Sequence, residues 1–164
     1  MRTEKSEVKN PQNIMQAFQR ANDMVAESSN FDDMISAYDQ VIRFCSNTAS
    51  CRNEKSTKRD TLLYWAYQNI ANAYSRKKMP EAAYLYFEKA LATAETDRQK
   101  STVLEKMLDV VGKENLRVAD KCRKILGLAN QLTDIYKKNP DNSNLRRITA
   151  LAESTLELLK KSGN

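Results

Sequence analysis

"YWAYQNIANAYSRKKMPEAAYLYFEKAL", residues 64–91, holds most of the aromatic side chains of a chain that has few of them. Their spacing is helical. Leu63, Tyr67, Ile70, Ala71 and Tyr74 recur at steps of three and four, which places them on one face of a helix from about Arg59 to Lys77. Pro80 suits the first turn of a following helix, because its missing N–H has no helical partner there. That second helix would bury Ala83, Phe87, Ala90 and Ala94. Ala71, Ala83 and Ala90 lack bulk, so the two backbones can approach closely while Tyr67, Ile70, Tyr74 and Phe87 fill the volume beside them.

Working outward, the same period divides the chain into about seven helices. The first runs from about Asn13 to Glu27, with Phe18, Ala21 and Val25 on one face; Ser28, Ser29 and Asn30 end it. The second, from about Phe31 to Cys45, carries Met34, Ile35, Tyr38, Val41, Ile42 and Cys45. A fifth, from about Asp97 to Val111, uses Val103, Leu104, Met107, Leu108 and Val111, with Gly112 placed for a left-handed C-terminal residue. Asn115 can cap the sixth, whose face is Val118, Cys122, Ile125, Ala129, Leu132 and Tyr136. Pro140 stops it, and Asp141 or Ser143 can cap the seventh, which carries Leu145, Ile148, Leu151, Ala152, Leu156 and Leu159. Residues 46–58 show no apolar period and read as a loop, with a helical end as the alternative.

A chain of 164 residues is one domain's length and long enough to bury a core. With 3 glycines and 3 prolines, the punctuation of sheets and hairpins is scarce, and the expected class is all-α. Residues 1–12 are polar and read as a disordered tail, followed by a single domain over 13–161. No apolar run approaches a bilayer span, so no membrane contact is expected. Cys45, Cys51 and Cys122 cannot complete a disulfide framework and suit a reducing cytoplasm, with a Cys45–Cys51 bridge as the less favoured alternative.

The series Tyr67, Ile70, Ala71, Tyr74, Ala83, Phe87, Ala90 resembles the tetratricopeptide repeat (TPR) family, in which aromatic, aliphatic and small residues recur in this order on a helix pair. Phe18, Ala21, Asn22, Val25, Met34 and Tyr38 keep the frame with weaker residues, Asn22 and Met34 standing where small ones are usual. The resemblance implies an antiparallel helix-pair solenoid, a right-handed superhelix. It would have repeat 1 at about 13–46, repeat 2 at about 61–96, a degenerate repeat 3 at about 97–138 and a capping helix at about 143–161. Phe18 and Tyr67 hold equivalent places 49 residues apart, against a period of about 34. The surplus falls at about 47–60, as an insertion or as extensions of the flanking helices.

Catalysis is not expected. The chain has no histidine, which removes the commonest general base and metal ligand. Glycines at 112, 127 and 163 cannot form a phosphate-binding loop, and no cofactor is expected. Asp32 and Asp33 sit at a helix start, where they suit the dipole. Cys51, near Arg52 and Lys55, is a weak candidate for a reactive thiol.

Within the TPR resemblance, residues off the core stripe of each first helix line a concave groove. Those of the best-formed pair are Trp65, Gln68, Asn72 and Arg76; those of the first are Gln16, Gln19, Asp23 and Glu27. The implied function is noncatalytic binding of a peptide or partner helix. The clamp that some TPR proteins use for a C-terminal carboxylate needs lysine and asparagine where Gln19 and Asp23 stand, so that ligand is not expected. Net charge of +6 raises a second reading, nucleic-acid binding through the densest basic cluster, Arg52, Lys55, Lys58 and Arg59. The other basic pairs, from Lys77/Lys78 to Lys160/Lys161, read first as solvated helix faces. A small chaperone of secreted proteins is a third reading.

Overall fold

The computed structural model describes residues 12–27, 30–47, 56–138 and 143–162. Among these the chain forms seven helices and no strand: α1 (Ile14–Glu27), α2 (Phe31–Asn47), α3 (Ser56–Arg76), α4 (Pro80–Thr93), α5 (Asp97–Lys113), α6 (Val118–Tyr136) and α7 (Ser143–Ser162). Each helix packs on the next in chain order, and α1 also touches α3. Residues 1–11 of the expected tail, Arg52, Lys55, Cys51, Pro140 and Asp141 lie outside the described residues. At 46–58, both flanking helices extend beyond their expected ends, α2 to Asn47 and α3 back to Ser56.

The helix ends follow local chemistry. Asn13 Oδ1 accepts the Gln16 backbone N–H at 2.9 Å, and Asn30 Oδ1 accepts that of Asp32 at 3.0 Å, so asparagine closes the starts of α1 and α2. Thr96 and Gln99 form a reciprocal capping box at α5. Two expected end signals are corrected. Gly112 is helical and has no positive φ; the Glu114 N–H closes the end of α5 on the Val111 carbonyl. The residue before α6 is Arg117 rather than Asn115, and its side chain makes no cap hydrogen bond but pairs with Asp120 at 2.8 Å. The left-handed residue is Lys78, φ 59°, after α3, where the Met79 N–H reaches the Tyr74 carbonyl and the Lys78 N–H that of Ser75.

The core forms two clusters that share α3. Leu62, Ala66 and Ile70 face Ile14, Ala17 and Ala21 of α1 and Ala37, Tyr38 and Val41 of α2. Tyr64 and Ala71 face Ala83, Phe87 and Ala90 of α4 and the apolar stripes of α5 and α6. The expected single stripe on α3 is therefore incomplete: Leu63, Tyr67 and Tyr74 are only half-buried, while Leu62, Tyr64, Ala66 and Ala73 are buried. A helix with neighbours on both sides buries more than one face, and a periodicity search for one stripe finds only part of it. Tyr74 and Tyr86, stacked at 5.5 Å, pack against both clusters and join them.

Ala71, Ala83 and Ala90 are all fully buried, as their spacing predicts. Asn22 also has a role: half-buried, it accepts the Tyr38 hydroxyl at 2.8 Å, which gives a polar residue at that position a partner. Val118, expected on the buried face of α6, is 51% exposed because that face starts one turn later at Cys122. Cys122 is a free buried thiol, whereas Cys45 is disulfide-bonded, against the expectation of a reduced chain.

Three hydrogen bonds, one to the connector before α5 and two to α5 itself, fix α5 beside α3. Thr61 donates to Glu95 at 3.1 Å, the Tyr64 hydroxyl to the Gln99 carbonyl at 3.4 Å, and Lys106 to Asn72 at 3.0 Å. The sequence separations are 34, 35 and 34 residues, so the two helices run parallel in a constant offset. By contrast, the Asp97–Lys138 and Glu114–Lys124 ion pairs make α6 antiparallel to α5.

Two substitutions test this packing. Ala71→Leu, which puts bulk between α3 and α4, is expected to cost about 1 to 3 kcal/mol in denaturant unfolding. Lys78→Gly should stabilise by about 0.5 to 1 kcal/mol, since it relieves a left-handed backbone that an L-residue adopts only at a cost.

Candidate functional site

The α3 residues expected in a groove divide into three that reach the surface and one that does not. Trp65 is 43% exposed, Arg76 is exposed and Asn72 is half-buried. At 100° per residue, positions 65, 72 and 76 fall on one line along α3. Gln68 is only 4% exposed. Its amide donates to the Tyr64 hydroxyl at 2.9 Å, and that hydroxyl in turn donates to Gln99 on α5. Gln68 thus holds α3 against α5, and Trp65, edge-on to Tyr64 at 5.1 Å, stands beside this fixed pair.

The residues expected from α1 are engaged with their own helix. Gln16 accepts the Gln12 backbone N–H at 2.8 Å, and Gln19 donates to Asp23 at 3.0 Å; all three are exposed. Glu27 is exposed at the end of α1. These side chains lie on the surface without a shared hydrogen bond to the α3 row.

On the other side, α5 adds cations that no sequence motif marked. Lys106 is half-buried; its ammonium donates to Asn72 and lies 5.9 Å from the Phe87 ring centre. Burial, and next the charge of Arg76, hold this ammonium below the ordinary lysine range, which places the two cations near each other. Just beyond, a cleft of about 450 Å³ is lined by Ser75, Arg76, Lys78, Pro80, Val110 and Lys113. Lys113 is paired with Asp109 at 2.6 Å, and Arg76 lies over the Phe31 ring. Among the described residues, no carboxylate is within ion-pair range of Arg76, Lys78 or Lys106. The site is therefore a row of one exposed indole, one amide and several cations over apolar walls. The signal that could have found Lys106 is its place 34 residues after Asn72.

The basic cluster behaves differently. Of its four members, Lys58 is exposed and Arg59 is half-buried with its guanidinium on Asp60 at 3.0 Å. Several other basic pairs tie helices together: Lys77 binds Asp32, Lys124 binds Glu114 at 2.8 Å, Lys138 binds Asp97 at 2.6 Å and Arg147 binds Glu105. No group of three His, Cys, Asp or Glu side chains able to hold a metal ion exists among the described residues, and none of the described helices is long and apolar enough to cross a membrane. A comparison with protein-family profiles and one with curated proteins each find no match to this chain.

The lowered Lys106 has a pH signature. Between its folded value and the ordinary lysine value of about 10.4, the unfolded chain binds more protons than the folded one, so this group makes stability rise with pH. Buried Tyr64 and half-buried Tyr67, whose hydroxyls burial raises, act with opposite sign above about pH 10. Lys106→Met should remove the first effect alone, seen as a flatter alkaline rise when denaturation midpoints of parent and variant are compared across pH.

Proposed function

We propose that this chain is a noncatalytic protein-interaction module, a short TPR-like right-handed superhelix that binds an acidic peptide or partner-helix segment along α3. The observation that carries the reading is the alignment of exposed Trp65 with Asn72 and Arg76, beside Lys106 and Lys78, cations without described carboxylate partners. Exposed tryptophan is a common energetic anchor of protein interfaces, and unpaired cations over apolar walls suit an acidic segment. The superhelical reading is supported by the parallel course of α3 and α5 at an offset of 34 to 35 residues, the repeat length of this architecture.

Nucleic-acid binding is the weaker reading. Arg59 of the basic cluster is paired with Asp60, and Lys77, Lys124, Lys138 and Arg147 are paired with carboxylates of other elements, which takes these five cations away from a continuous phosphate track. The disulfide at Cys45 counts against the reducing cytoplasm as the protein's compartment.

Affinity purification with the full chain supplies the partner, and Trp65, the one tryptophan, supplies the signal. The partner's binding segment should change Trp65 emission. Trp65→Ala combined with Asn72→Ala should weaken binding by about 10- to 30-fold. Unchanged affinity in that double variant would remove the groove from consideration.

A further inference from the structure

A second cleft, of about 390 Å³, lies between α4, the α5–α6 connector and α6, and shares no lining residue with the cleft at the end of α3. Glu81, Leu85 and Glu88 stand on one exposed face of α4, spaced four and three apart, with Leu85 50% exposed. Glu114 enters from the end of α5 with its side chain only 1% exposed. One carboxylate oxygen, Oε2, accepts the Lys124 ammonium at 2.8 Å. The other, Oε1, is buried and accepts no hydrogen bond from any described residue. Tyr84 forms a wall, with the Lys124 ammonium 4.2 Å from its ring centre. After burial, the charges of Glu88 and then Glu114 raise the Tyr84 hydroxyl, so both carboxylates lie close to that ring.

The cleft is thus a local reversal in a basic chain: three carboxylates with one lysine among them. A buried carboxylate oxygen without a donor is unfavourable and calls for one. We propose that the cleft receives an arginine side chain of a partner protein, whose guanidinium donates to Glu114 Oε1 and to Glu88 while its stem packs on Tyr84 and Leu116. The planar guanidinium carries five donors in a fixed fork and can serve two carboxylates together, which a single ammonium does less well. Leu85 beside the cleft is an apolar shelf that a protein partner covers and a small cation leaves bare. Since Oε1 is closed from water, entry needs a side-chain shift. Lys124, 37% exposed on a flexible stem, is the group placed to make it.

The test is a titration of the ¹⁵N-labelled full chain with Ac-Leu-Arg-Leu-NH2 at constant ionic strength. Saturable amide shifts are expected at residues 81–88 and 114–124, with binding at least about tenfold weaker for Ac-Leu-Gln-Leu-NH2, a loss typical of a charge-assisted hydrogen bond. Glu114→Gln should reduce the arginine peptide's affinity. Should that variant fail to fold, Glu88→Gln, at an exposed position, must do the same. The proposal is overturned by absent or dispersed shifts, by equal binding of the glutamine peptide, or by unchanged affinity in the folded variants. Agmatine binding as tightly as the tripeptide would overturn the assignment to a protein partner.

Discussion

Helix α3 is buried on two sides, and the positions that face each neighbour interleave along it. Leu62, Ala66 and Ile70 serve the contact with α1 and α2; Tyr64 and Ala71 serve that with α4 and α5. Close approach on the second side depends on Ala71 and Ala83 having no side chain beyond Cβ, since larger residues there would push the backbones apart. With both flanks occupied, little of α3 remains for solvent. The line of Trp65, Asn72 and Arg76 is part of what remains, so the candidate binding row is a consequence of how α3 is packed. Gln68 lies beside that line but turns inward, because the Tyr64 hydroxyl needs a partner where it is buried.

Charge is organised by the same helix pairing. Lys77, Lys124, Lys138 and Arg147 each meet a carboxylate from another element. At partly exposed sites such pairs add little stability individually, but they fix the direction in which helices lie beside one another. The net charge of +6 is also unevenly placed. Arg76, Lys78 and Lys106 gather at one end of α3 and α5, while Glu81, Glu88 and Glu114 gather beside α4. A single sum over the chain hides two local fields of opposite sign.

Much of the fold was legible as periodicity. The seven helices and the Ala71, Ala83, Phe87, Ala90 contact follow from spacings of three and four residues and from a few capping residues. Less was legible at the helix ends, where Gly112 stayed helical and Lys78 took the left-handed backbone. Glycine lowers the cost of that conformation without requiring it, and the geometry of the tight α3–α4 turn imposed it on a lysine. In the candidate site, Trp65, Asn72 and Arg76 could be read from their positions on one helix. Lys106, the Val110 and Lys113 wall and the Glu114 cleft could not, because each needs residues from another helix or from the connector after it.

By itself, the sequence determined which segments are helical and which small residues allow helices to meet, because those properties reside in intervals of a few residues. The tertiary structure decided which of the remaining side chains became interior and which became surface. Gln68 was drawn into the core by Tyr64, half-buried Asn22 was paired with Tyr38, and the ammonium of Lys106 was brought to Asn72 across 34 residues of chain. Exposure and pairing depend on what a second helix presents at that point, and no spacing within one helix contains that information. The opening stretch, residues 64–91, therefore held the helix contact on which the fold is built, while its one exposed indole acquired charged neighbours only when α5 packed beside it.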